Sequence, residues 1–204
     1  MALHAQPAST DTRDRLLKAA KREFALRGYK GASLRQICAS AGVTTGALYF
    51  FFKNKEDLFR TVVAPVMEPL VQMVLSSVDH EVPLSVRTPV VNGVRDVPEV
   101  ARNFLELCAE NDDVVKIMTR DRDNPVMELL VNEAAAELAN EIYEGLVVPR
   151  KGRAVVEDRF VADWLAGTCV RSVIQIIGAE GTFEDSCRRM GVVFNFILAG
   201  ISGL

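Results

Sequence analysis

A chain of 204 residues, 49% apolar and 25% charged, has the composition of an ordinary soluble globular protein, with room for a small head and a larger body. Its four cysteines are dispersed and it has only two histidines, which argues against a zinc site and a disulfide framework and points to a reducing cytoplasm. The formal charge of −3 is unevenly laid out: residues 1–60 carry a net +6 and residues 61–204 a net −9, the asymmetry expected when one end meets polyphosphate.

No membrane association is expected. Met1–Ser9 lacks the basic start and apolar core of a signal peptide. The most apolar run, Met190–Leu204, is interrupted by Asn195 and is too short to span a bilayer.

Nearly every segment reads as helix, and none alternates convincingly like a strand. The first helix is expected over Thr12–Arg27, with Leu16, Ala20 and Phe24 stacked on one face and Gly28 as a left-handed cap. Ser33 opens a second helix, and Gln36 three residues on suggests a capping box. Ile37, Cys38 and Ala41 give it an apolar face, and Gly42 supplies the positive φ of a tight turn. Thr44 caps a third, short helix ending near Phe52, with Val43 and Leu48 as a hydrophobic staple.

Asn54 caps a fourth helix running from Lys55 towards Ser77, in which Pro65 and Pro69 predict a bend or break. His80–Val97 reads as a long surface loop. Further helices follow at about Pro98–Asn111, Asp113–Asp121, Pro125–Val148, Val155–Gly178 and Glu184–Ser202, with Pro149–Gly152 breaking the chain before the last pair. The fold class is therefore all-α: a three-helix, helix-turn-helix head at residues 1–54 and a larger helical body at residues 55–204, to which the resemblance described next adds ligand binding and dimerisation.

The stretch RLLKAAKREFALRGYKGASLRQICASAGVTTGALYFFFKNKEDLF resembles the DNA-binding head of the TetR family of bacterial repressors. The diagnostic positions are Gly42-Val43-Thr44, Gly46-Ala47-Leu48-Tyr49, Phe52 and Asn54-Lys55-Glu56. The resemblance covers about a quarter of the chain. It implies a homodimer whose third helix enters the major groove of double-stranded palindromic operator DNA, and a body that binds a small effector and shifts the heads. No cofactor or metal is implied.

Several residues follow from that resemblance. Arg35 is expected to reach a guanine edge or a phosphate, against a plain solvated reading. Thr44 and Thr45 front the recognition helix, where Thr45 can read a base, and small Gly46 and Ala47 let the backbone approach the groove. Tyr49 matches a phosphate-binding tyrosine. Lys55, with Lys53 beside it, matches a phosphate-binding lysine at a helix start. Phe51 departs from the family's polar or histidine side chain, so one phosphate contact is expected to be missing. Phe50 either presses on a sugar or thymine methyl, or packs against the body.

In the body, Met67, Phe104, Met118, Met127, Tyr143 and Trp164 are candidates for an apolar or aromatic effector pocket, with ordinary core packing as the alternative for each. The final helices carry Val170, Val173, Ile174 and Ile177, then Val192, Phe194, Ile197 and Leu198, as an expected pairing face. No nucleophile–base set, phosphate loop or metal cluster stands out, and His4 and His80 stand alone. The leading function is a ligand-released repressor. An effector-independent DNA-binding regulator and an all-α enzyme or carrier remain the alternatives.

Overall fold

The computed structural model describes residues 7–78, 90–91, 94–95, 97–121, 123–147 and 158–203. Expectations placed on His4, His80, Pro149–Gly152 and Val155 lie outside the described residues, as do those placed on the side chains of Ile197 and Leu198. In chain order the helices are α1 (Pro7–Gly31), α2 (Leu34–Ala41), α3 (Thr45–Phe51), α4 (Lys55–Val78), α5 (Glu99–Glu110), α6 (Asp112–Arg120), α7 (Pro125–Val147), α8 (Arg159–Ile177) and α9 (Phe183–Gly203). Within the segment expected to be loop lies a two-residue antiparallel ladder, β1 (Val90–Val91) and β2 (Val94–Arg95), with Val91 opposite Val94. Asn92-Gly93 between Val90-Val91 and Val94-Arg95 is the sequence signal for such a hairpin.

The helices form two compact units. The first runs to Pro65 and includes Asp112–Met127, and the second comprises Val66–Asn111 and the chain from Glu128 onward. The first unit is thus larger than residues 1–54, because α6 joins it.

In the first unit, Leu16, Ala20 and Phe24 of α1 are fully buried with Ile37, Leu48, Phe52, Leu58 and Phe59. α1 begins at Pro7, earlier than expected, since proline lacks only an N–H that a first helical turn leaves unused. Its other end differs in kind from a left-handed cap. Gly28 takes φ 67°, ψ 178°, a region only glycine occupies at low cost, and the helix resumes for one more turn to Gly31.

Two backbone groups flanking that kink find side-chain partners at the end of α6. The Tyr29 N–H donates to Asp121 Oδ2 at 2.9 Å, and Arg120 Nη1 donates to the Ala25 carbonyl at 2.8 Å. Lys21 and Asp113 add an ion pair at 3.4 Å, while Val114, Val115, Ile117 and Met118 are the buried residues of α6.

The Ser33 cap forms as expected, with its Oγ accepting the Gln36 N–H at 3.4 Å. The reciprocal half of the capping box does not. Gln36 reaches instead to Ser40 Oγ, and the Ser33 N–H donates to Glu23 Oε1 at 3.2 Å. Glu23 is buried and already pairs with Arg27, so a charged acceptor outcompetes a neutral amide.

α4 is continuous through Pro65 and Pro69, where a bend or break was expected. The two prolines lie on its exposed and half-exposed sides, while Val62, Val63, Val66, Met67, Leu70, Met73 and Val74 are all buried. Burial of that unbroken apolar face outweighs the helical bonds the prolines remove.

In the second unit, α8 and α9 pack together and α9 also packs on α5. Asp158 caps α8 by accepting the Phe160 N–H at 2.9 Å. Thr182 and Asp185 form a reciprocal capping box that opens α9. Arg159 and Arg171 of α8 each donate to an asparagine of α7, Asn140 and Asn132.

The kink at Gly28 is directly testable. A Cβ there would stand 2.9 Å from Asp121 Oδ2 as well as on a glycine-only backbone. Gly28→Ala is expected to cost about 1–3 kcal/mol, roughly 2–10 °C of thermal midpoint. Gly31→Ala, which meets only Arg27 Cβ at 3.4 Å, is the control and should leave the midpoint nearly unchanged.

Candidate nucleic-acid interface

The turn between α2 and α3 is closed by backbone bonds. Gly42 sits at φ 66°, ψ 37°, its N–H donates to the Ala39 carbonyl, and the Val43 N–H donates to the Cys38 carbonyl at 3.0 Å. This left-handed termination fixes where α3 departs. Thr44 Oγ1 accepts the Ala47 N–H at 3.2 Å, and α3 buries Leu48 beneath it. Cys38 is buried under the turn.

At 3.6 residues per turn, Gly46, Tyr49 and Phe50 fall on the side of α3 away from Leu48, and Thr45 opens the helix beside them. All four are exposed, with Arg35 and Thr44. Ala47 is half-buried. Between Glu23 and Glu56 the chain holds five basic residues (Arg27, Lys30, Arg35, Lys53, Lys55) and no carboxylate. A row of hydroxyls and small residues in a one-signed field suits a polyanion.

Lys53 is exposed, and its N–H donates to Asp57 Oδ2 at 2.9 Å, while Asn54 Oδ1 accepts the Asp57 N–H at 2.8 Å. Asn54 and Asp57 thus cap α4 jointly. Lys55 is half-buried and occupied. Its Nζ donates to the Lys30 carbonyl at 3.3 Å and lies 4.9 Å from the centre of the Tyr29 ring. Burial holds the Lys55 amine below its ordinary value, with Glu23 pulling it partly back up. Lys55 therefore ties α4 to the end of α1. Tyr29 in turn stacks on Phe24 and takes the edge of Phe59 at 5.2 Å.

The sequence reading did not reach Glu23, Tyr29 or Asp121, which hold this surface in place. Their partners lie 10 to 92 residues away, and no local pattern marks them.

The six candidate pocket residues do not share a unit. Met118 and Met127 belong to the first, whereas Met67, Phe104, Tyr143 and Trp164 belong to the second. Met67, Phe104, Met118 and Met127 are buried, and Tyr143 is half-buried beneath Arg159. Trp164 is 60% exposed, one turn along α8 from exposed Phe160, so it lines no enclosed cavity within its unit. On the expected pairing face, Val170 and Val173 are buried inside the unit, because they face its core, while Val192 is exposed.

This arrangement defines a helix-turn-helix DNA-binding protein. Residues 16–62 match the family described as bacterial regulatory proteins, tetR family. The chain is 27% identical to the transcriptional repressor BepR of Brucella suis over 83% of this chain and 78% of that protein. It is 40% identical to the regulator AcrR of Shigella flexneri over a 62-residue stretch, 30% of this chain and 29% of that one. Among solved structures, SmeT, a repressor from Stenotrophomonas maltophilia, aligns over 93% of this chain and 91% of its own at a TM-score of 0.59 and 22% identity. Residues 16–62 form a TetR-type DNA-binding head, and the chain is a TetR-like DNA-binding transcriptional regulator.

Cys38 gives this surface a pH dependence. Burial pushes its thiol above the usual 9.0, outweighing the lowering effect of the Thr45 hydroxyl, so the folded head favours the protonated form. That stability is whole below pH 9.0 and is lost as pH rises through the raised value. Cys38→Ser is close in shape but does not ionise in this range. Wild type is expected to lose thermal midpoint more steeply than Cys38→Ser above about pH 9, with parallel curves below it. Tyr29, raised by burial, and Lys55, lowered by it, shift with opposite signs and act equally in both proteins.

Proposed function

We propose that the chain is a cytoplasmic, homodimeric repressor that binds a palindromic operator through α2 and α3 and is released by a small apolar or aromatic effector held in the second unit. The observation that carries the DNA-binding half is the outward row of Thr45, Gly46, Tyr49 and Phe50 in a segment with five basic and no acidic residues. In this reading Arg35 and Thr45 meet base edges, and Thr44, Tyr49 and Lys53 hold phosphates. Gly46 and Ala47 allow close approach. Lys55 serves the surface chiefly by fixing Tyr29 and the start of α4, with its remaining donors directed to phosphate. The relatives named as repressors and regulators support this half. Buried Met67 and Phe104 are the apolar groups we assign to the effector.

The partner copy is proposed to cover α8 and α9. By length and composition α8 is apolar enough to cross a bilayer, yet only 33% of that stretch is buried. Phe160 and Trp164 on α8, and Val192 and 79% exposed Phe196 on α9, form an apolar surface that a second copy would cover about a two-fold axis. The double variant Trp164→Glu, Phe196→Glu is expected to be monomeric in light scattering at micromolar concentration, where wild type gives the dimer mass. A dimeric mass in both would place the interface elsewhere.

Fluorescence anisotropy on operator and random DNA across a salt series tests the assigned contacts. Lys53→Ala should weaken both DNAs alike and lower the slope of log affinity against log salt by about one. Arg35→Ala should lose about 1–3 kcal/mol on operator and relax discrimination at one base pair per half-site. Equal losses on both DNAs would make Arg35 a backbone contact. An effector counts as found when a small molecule lowers operator affinity without changing affinity for random DNA.

A further inference from the structure

Phe50 is 80% exposed, the most exposed large apolar side chain among the described residues. It lies about 160° around α3 from fully buried Leu48, on the face that also carries Gly46 one turn earlier. A ring standing in water opposite the core adds nothing to the stability of the head. Yet it is not loose. Its ring meets Phe51 edge-on, with centroids 5.1 Å apart and planes at 89°, and Phe51 in turn touches Phe52, which is buried. The three consecutive aromatics form a prop, with Phe52 anchored in the core, Phe51 half-buried and Phe50 held outward. Gly46 leaves the space beside the ring open, since a Cβ there would meet nothing nearer than Thr44 Oγ1 at 3.9 Å.

We propose that Phe50 is a specificity-determining residue that reads the 5-methyl group of thymine in the major groove. The inference rests on the DNA-binding reading of α3. It follows by elimination among the groups a base pair presents there. The donors and acceptors a base edge presents there form no conventional hydrogen bond with a phenyl ring, and the thymine methyl is the one apolar group that projects from a base towards it. A pre-positioned ring with no polar atom favours thymine over cytosine at its position and excludes water from the donors and acceptors next to it. Phe51 accordingly does in this chain what a polar side chain does not do: it fixes the angle of its neighbour.

The test uses the full-length protein and a duplex recovered from a random pool by repeated selection on it. Each thymine of the enriched site is replaced in turn by deoxyuridine, which keeps every hydrogen bond and removes only the methyl group. For wild type, one position per half-site is expected to weaken binding by about fourfold per methyl removed, the burial of one methyl-sized group. Phe50→Ala should bind the thymine and uracil duplexes equally, and Phe50→Leu should restore part of the difference. Circular dichroism and thermal midpoint of Phe50→Ala should match wild type, since the side chain it removes is exposed. A uracil series with no sensitive position, or one equally sensitive in Phe50→Ala, overturns the assignment. A uniform loss by Phe50→Ala on thymine and uracil duplexes alike also overturns it and makes the ring a sugar contact. Failure to enrich any duplex would instead sink the DNA-binding reading itself.

Discussion

One kink organises the first unit. At Gly28 the helix leaves its regular path, and Asp121 and Arg120 bond the Tyr29 N–H and the Ala25 carbonyl that flank it. An isolated head of about sixty residues buries too little surface to be more than marginally stable. Here Arg120 and Asp121 supply two charged hydrogen bonds at the kink, and α6 adds an ion pair to Lys21 and an apolar face, so the head does not stand on its own core. The kink is also what turns Tyr29 to lie between Phe24, Phe59 and the Lys55 ammonium. Through those contacts the end of α1 sets the start of α4. Through Glu23 and the Ser33 N–H, α1 also sets the start of α2.

The outer surface of the head follows from that frame. With α2 begun by Glu23 and Ser33 and ended by Gly42, the direction of α3 is fixed by backbone geometry before any DNA contact. The polar groups nearest the core are consumed internally: Thr44 by the Ala47 N–H, Asn54 and Asp57 by each other's turn. What remains outward includes Arg35, Thr45, Tyr49, Phe50 and Lys53, a set with positive charge, one hydroxyl, one phenol and one bare ring. Such a surface offers a phosphate backbone attraction without sequence information, and leaves discrimination to a few side chains.

Much of this was legible in the residues alone, and the reason is distance along the chain. The Ser33, Thr44 and Asn54 caps each bond an N–H three residues on, so both partners lie in one short window. Gly42 needs a positive φ for a turn whose two helices flank it. The burial of Leu16, Phe24, Ile37, Leu48 and Phe59 follows from helical period. Where a capping partner was assigned by spacing only, as with Gln36, a buried carboxylate from another helix displaced it. The α4 prolines erred the same way: local propensity argued for a break, and burial of a continuous apolar face outweighed it.

The sequence by itself determined the helix-turn-helix, its caps, its basic field and the TetR-type head, because these rest on contacts within a few residues and on charge. Tertiary structure decided that α6 braces the head, that Lys55 is held by Lys30 and Tyr29, that Trp164 stands exposed while Val170 and Val173 are buried, and that Phe50 is propped outward by Phe51. Each of those depends on which of several equally apolar or equally charged groups arrives at a given point. Helical period restricts that choice to a face, and only the packing of whole helices selects the partner.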